Sequence, residues 1–199
     1  MAVLQKGSTG TTYRQLSGMY LIQSGHVSSS QYVDLVFGSS NDNDNYKVFK
    51  IFLRDFTVDG YEYRARFLSS AGSPITYGHY GGGNHLGEST SSEYSFVWNN
   101  ANHIPLSGGH NAASGSGAYP MNLELTVYAD ITHNNYASNY HFTGMFRGDS
   151  NAGYTQGVWG GGTQTGDSDY GIRITTNDES NQRIQYLTYA MYGLGGWTA

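Results

Sequence analysis

The residues of this chain whose types could do chemistry are serines, acids, histidines and aromatics set among glycines. Gly148-Asp149-Ser150 and Gly166-Asp167-Ser168 carry a tripeptide seen around hydrolase serines. A nucleophilic serine also needs a histidine base held by a third group and an oxyanion pocket, and the Gly-x-Ser-x-Gly elbow is absent. Asn41-Asp-Asn-Asp-Asn45 begins like a calcium loop. Counting from Asp42, however, the sixth position is Lys47 and the twelfth is Leu53, where such a loop wants Gly and Glu, so the run predicts a hairpin turn. His79, His85, His103 and His110 fall in two long polar segments without the tight spacing of a zinc motif, and are expected to be solvated loop residues. The acids Glu88, Glu93, Asp149, Asp167 and Asp169 are too scattered to pair for glycoside cleavage. No metal, cofactor or catalytic residue is expected, and the chain reads as non-enzymatic.

What remains is a binding surface. Tyr77, Tyr80, Tyr119, Tyr154 and Trp159 sit among Gly, Asn, Ser and Gln. Such mixtures combine rigid stacking faces with adaptable hydrogen bonding, as binding loops do, and sugars suit them. The same rings could instead plug the ends of a sandwich or bury against a neighbouring subunit, and the sequence supports the two readings equally.

The elements that must position these residues follow from pattern. With 199 residues the chain is predicted to form one domain over 18–199 behind a short N-terminal arm, residues 1–17, which shows no periodicity. It has 28 Gly and 18 Tyr but only 10 Lys plus Arg, and no Cys. A net charge of −5 and the lack of clustered cations exclude nucleic acid as a partner. Nothing resembles a secretory leader or an apolar membrane span, so no membrane insertion is expected. The absence of cysteine leaves stability to packing and oligomerisation.

Strand-like runs begin at Met19–Gln23, Tyr32–Phe37, Tyr46–Arg54 and Tyr61–Leu68, and their succession predicts an antiparallel meander. In the fourth, Tyr61, Tyr63, Ala65 and Phe67 oppose Glu62, Arg64 and Arg66, so one face is expected buried and the other solvated. Met121–Ile131 and Asn139–Arg147 read as a hairpin. Glycine-rich stretches at 74–92, 99–119 and 148–169 are predicted to be long loops, and therefore the places to seek a site. The chain closes with two strands around a polar turn, Tyr170–Leu194. The last, with Leu187 and Met191 on one face and Ile184 with tyrosines on the other, is apolar on both faces and is expected inside a sheet. Eight to ten strands and no helix predict an all-β, antiparallel two-sheet sandwich of jelly-roll type with long Gly-rich loops.

This order of features, ending in Gly171-Ile-Arg-Ile174 and Tyr192-Gly-Leu194, resembles the β-sandwich modules of tailed-bacteriophage virion proteins, found in tail fibres, receptor-binding proteins and head decorations. The resemblance spans roughly residues 18–194 and brings no shared catalytic residues. It implies a virion location, contacts with other virion proteins, a homo-oligomer with a trimer as the expectation, and host-surface glycan as a possible ligand. No fibre shaft precedes residue 18, so the expectation is a compact protein attached to head or tail through its own surface and arm, or a stand-alone receptor-binding tip. The alternatives carried forward are a carbohydrate-binding module and a glycan hydrolase.

Overall fold

The computed structural model describes residues 4–6, 12–14, 18–37, 46–59, 62–86, 93–107, 120–129, 138–147, 155–165 and 170–195. Among these the chain is all strand and turn, with no helix. The strands are β1 (Leu4–Lys6), β2 (Thr12–Arg14), β3 (Met19–Ser30), β4 (Tyr32–Val36), β5 (Tyr46–Val58), β6 (Tyr63–Leu68) and β7 (His79–Leu86). They continue with β8 (Glu93–Ala101), β9 (Ile104–Pro105), β10 (Met121–Tyr128), β11 (Ser138–Arg147), β12 (Thr155–Gln164), β13 (Gly171–Thr176) and β14 (Ile184–Gly195). One sheet has the order β3-β14-β5-β10-β11-β12-β7-β8, a second the order β4-β13-β6-β9, and all neighbours are antiparallel. Within the expected arm, β1 and β2 pair as a separate small hairpin.

The two sheets pack face to face as a β-sandwich. From the eight-stranded sheet Phe49, Ile51 and Leu53 of β5, Leu123, Leu125 and Val127 of β10, and Leu187 and Met191 of β14 point inward. They meet Val33 and Leu35 of β4, Tyr63, Ala65 and Phe67 of β6, and Ile172 and Ile174 of β13. Rings cross the interface: Phe56 lies edge-on to Tyr63 at 4.7 Å, and Phe67 lies 5.8 Å from Tyr140. Each such aliphatic or aromatic side chain contributes about 1.5–3 kcal/mol relative to leaving it in water.

The expected meander does not form. Strands β3, β4, β5 and β6 alternate between the sheets, because β14 inserts between β3 and β5 while β13 inserts between β4 and β6. The closing pair of strands thus holds the opening four, one in each sheet. The predicted interior position of β14 is observed. Strict alternation would put Ile184 and Leu187 on opposite faces, yet both are fully buried, since register shifts between Ile184, Tyr186 and Thr188 rotate the strand. The β10–β11 hairpin also forms as predicted.

Two of the predicted loops contain strands among their described residues. Tyr80-Gly-Gly-Gly-Asn84 lies in β7 and Trp159-Gly-Gly-Gly-Thr163 in β12, and they pair so that Gly83 faces Gly160, Gly82 faces Gly161 and Gly81 faces Gly162. Glycine disfavours strands because it brings entropy and no packing surface, which is why the runs read as loops. Here neighbours supply the packing. Trp98 and Phe96 from β8 and Tyr140 and Phe142 from β11 lean over the glycine ribbon from both sides. The Trp98 ring lies 6.4 Å from that of Tyr140 and 6.3 Å from that of Phe142, and its Nε1–H donates to the Tyr140 hydroxyl at 2.8 Å. A Cβ at Gly81 would come within 2.5 Å of the Trp98 ring, and one at Gly160 within 2.8 Å of the Phe142 ring.

Candidate functional site

The ribbon that is roofed inside is open outside. Register places Thr126, His141, Gly161, Gly82 and Val97 in one outward row across β10, β11, β12, β7 and β8. On one side of it runs the row Glu124, Thr143, Trp159, Asn84, Ser95, and on the other Tyr128, Asn139, Thr163, Tyr80. Side chains are missing in the middle row at Gly161 and Gly82, so the surface has a flat floor two strands wide, with His141 and Val97 at its ends. Trp159 and Asn84 stand on one side of this floor and Tyr80 and Thr163 on the other. Trp159 is 37% exposed, Val97 86% exposed, and Tyr80 half-buried.

Two of the five predicted aromatic site residues, Tyr80 and Trp159, therefore share one face, but as strand residues and not as loop residues. Tyr77, 49% exposed, lies in the turn just before β7. There the Gly78 carbonyl accepts from the Thr165 N–H at 3.0 Å and the Gly78 N–H donates to Asn100 Oδ1 at 2.9 Å, which puts Tyr77 near the Tyr80 end of the floor. Tyr119 and Tyr154 lie outside the described residues, as do both Gly-Asp-Ser tripeptides, Asn41–Asn45, Glu88, His110, Asp149, Asp167 and Asp169. The contribution of Asn84, Thr163 and the two outward glycines was missed by the sequence reading. A signal for them exists: an aromatic residue, three glycines and a polar residue occur twice, and antiparallel pairing sets each aromatic beside the polar residue of the other copy.

Of the four histidines expected in loops, only His79 and His103 have described side chains, and each is engaged in its own contacts. His79 is fully buried and ties the two sheets together: Nδ1 contacts the Ala101 carbonyl at 3.0 Å, and Nε2 accepts from the Phe67 N–H of the opposite sheet at 3.4 Å. Nδ1 therefore carries the proton, and burial pushes the imidazole down to about 4. It is a structural latch and not the expected solvated loop residue, because it sits on the inward face of β7 opposite Gln164. His103 is half-buried, and burial with the guanidiniums of Arg64 and Arg66 pushes it down to about 3. Among the described residues no three His, Asp or Glu side chains could hold a metal ion together.

The outer face of the four-stranded sheet differs from expectation as well. Arg64 and Arg66 are not fully solvated; they belong to a half-buried lattice of charges. Arg173 grips Asp34 with two bonds of 2.7 and 2.8 Å and lies over the Tyr32 ring at 3.6 Å. Glu179 bridges Arg66 at 2.8 Å and Arg173 at 3.4 Å, and Glu62 pairs with Arg64. Three cations meet three anions, and the Arg66 Nε is buried without a partner. The sequence hid this lattice because Asp34 lies 139 positions from Arg173, and Glu179 lies 113 from Arg66.

No protein-family model matches the chain, and neither a curated protein nor a solved structure is significantly similar to it. The two outer faces of the sandwich differ in character. One is closed by balanced charge, and the other exposes rings over a glycine floor.

Proposed function

We propose that this chain is a non-enzymatic structural component of a bacteriophage virion, a head decoration or a tail and receptor-binding part, that assembles as a homo-oligomer on the particle and presents the outer face of its eight-stranded sheet. The observation that supports this most is where the exposed apolar side chains lie. Most of the exposed large apolar side chains among the described residues, Met19 (46% exposed), Leu21 (58%), Tyr128, Met145, Trp159 and Val97, fall on that one outward face, while Tyr32 stands on the outer face of the other sheet beneath Arg173. Exposed apolar surface concentrated on a single face marks an interaction surface.

The face has two ends with different chemistry. At the β3 end Met19 and Leu21 adjoin Leu194 and Tyr192, and β3 is an edge strand whose other side is unpaired among the described residues. An apolar edge of this kind suits contact with a sister subunit or another virion protein. At the β12–β7 end the surface is aromatic and amide-rich, which suits recognition. On the same face Glu124 is hydrogen-bonded to Lys50, which leaves it unsuited to serve as a free catalytic acid.

Mass spectrometry of purified phage particles, with light scattering of the isolated chain, tests the reading. The chain should be found in particles at stoichiometric copy number and as an oligomer, a trimer by expectation, in solution. A monodisperse monomer absent from every particle preparation would overturn it.

A further inference from the structure

We infer that the glycine floor between Trp159 and Tyr80 is a binding site for a neutral oligosaccharide, built as two matched subsites. Each subsite pairs one stacking ring with one hydrogen-bonding side chain from the neighbouring strand. Trp159 stands opposite Asn84, and Tyr80 stands opposite Thr163. The two pairs are related by the local two-fold symmetry of the antiparallel β12–β7 ladder, whose centre lies at Gly82 and Gly161. This deepens the proposed recognition role, and it rests on that role only for the accessibility of the face.

Three observations carry the assignment. The first is shape. A sugar can lie across a sheet only where no side chain projects beneath it, and Gly82 and Gly161 leave two neighbouring outward positions bare between the two rings. Inside the ribbon, and at outward Gly161, where a Cβ would come within 2.7 Å of the Tyr140 carbonyl, glycine is required by packing, but outward Gly82 is different. A Cβ there would meet only the Phe96 carbonyl at 3.2 Å and Val97 Cγ1 at 3.4 Å, a tight contact but not a clash. Packing alone thus does not demand the bare floor at Gly82.

The second observation is charge. Tyr80, Asn84, Trp159, Thr163, His141 and Val97, which frame the floor, include no Asp, Glu, Lys or Arg, and the nearest described outward ion pair, Lys50 with Glu124, is two strands from β12. Among these framing residues a uronate or sulfate would find no Lys or Arg, whereas hydroxyl groups find amide, hydroxyl and imidazole partners. The third is span. Trp159 and Tyr80 lie on adjacent strands four positions apart in register, roughly 14 Å between Cα atoms. That is wider than one pyranose ring, so a ligand touching both rings has more than one sugar.

The test is calorimetric titration of the full chain with neutral gluco-, xylo- and manno-oligosaccharides of increasing length, beside a uronic-acid oligomer, with Trp159→Ala, Tyr80→Ala and Gly82→Val as variants checked by circular dichroism. Binding should strengthen from the monosaccharide to the longer oligomers by about tenfold or more, and each folded variant should lose about tenfold. Absence of binding to every neutral oligomer at millimolar concentration, equal affinity for the monosaccharide, preference for the uronic oligomer, or unaltered binding in both aromatic variants would each sink the assignment. Particle association is read separately. Lost glycan binding with intact association overturns this inference alone, and retained glycan binding without any particle overturns the virion reading alone.

Discussion

His79 shows how one side chain can make a sandwich sensitive to acid. Its ring must stay neutral to accept from the Phe67 N–H, and burial lowers its pKa from 6.5 to about 4. The folded value lies below the unfolded one, so on acidification the unfolded chain takes up the proton first. The stabilising contribution is complete above about pH 6.5 and is lost as pH falls towards 4, for about 3 kcal/mol in all. Urea midpoints should drop steeply across that window. His79→Gln keeps a donor and an acceptor without titrating, and should flatten the slope. An unchanged slope in that variant would move the acid sensitivity to His103, which is also held down by burial and by Arg64 and Arg66. Arg173 makes the opposite case. Burial works against its charge but is outweighed by its bonds to Asp34 and the charges of Asp34 and Glu179, which raise its pKa. Asp34→Ala removes the bidentate partner of a nearly buried guanidinium and should cost about 2 kcal/mol by chemical denaturation, partly offset by Glu179.

At the scale of elements, the glycine ribbon makes its own prediction. Gly81→Ala and Gly160→Ala drive a methyl into the Trp98 and Phe142 rings, and each should cost about 1–3 kcal/mol through overpacking. Gly82→Ala points outward and should cost less than about 1 kcal/mol, since strand propensity improves while the Phe96 carbonyl is crowded. Denaturant midpoints of the three variants should separate in that order. If Gly82→Ala is as damaging as Gly81→Ala, the bare floor is a packing requirement on both faces and the shape argument for the sugar site fails. The β14 strand is the second element with a definite expectation. Leu187 and Met191 are fully buried on the inward face of the sheet, and truncation of either to Ala should cost about 2–5 kcal/mol.

For the whole molecule the decisive feature is that both sheets are completed from the C-terminus. Among the described residues, strand β4 pairs only with β13 and β3 only with β14, so these two strands have no sheet partner until the last strands are made, whereas β5 also pairs with β10 and β6 with β9. Removing Ile184–Gly195 should therefore abolish cooperative unfolding and not merely weaken it, as calorimetry would show by loss of a single transition. Pairing at such separations closes long loops before any contact is gained, so refolding should take milliseconds to seconds. The outward apolar end at β3 and the aromatic end at β12–β7 are separate surfaces, and the assembly and recognition proposed above rest on one each.

Much of this was legible in one dimension. Alternation along Tyr63–Leu68 and Met121–Tyr128 showed that the chain is all-β and which of their side chains form the core, and apolar residues on both faces of Ile184–Gly195 marked a strand inside a sheet, though its register shifts, and so its buried set, were not legible. Periodicity carries no information about partners. Only the tertiary structure decided that successive early strands lie in opposite sheets, that Arg66 and Arg173 pair with anions more than 100 positions away, and that two glycine runs pair as strands. Glycine has no side chain with which to announce a strand. The rings of Trp98, Tyr140 and Phe142, contributed by other strands, make those runs extended, and the same pairing brings Trp159 and Tyr80 onto one face.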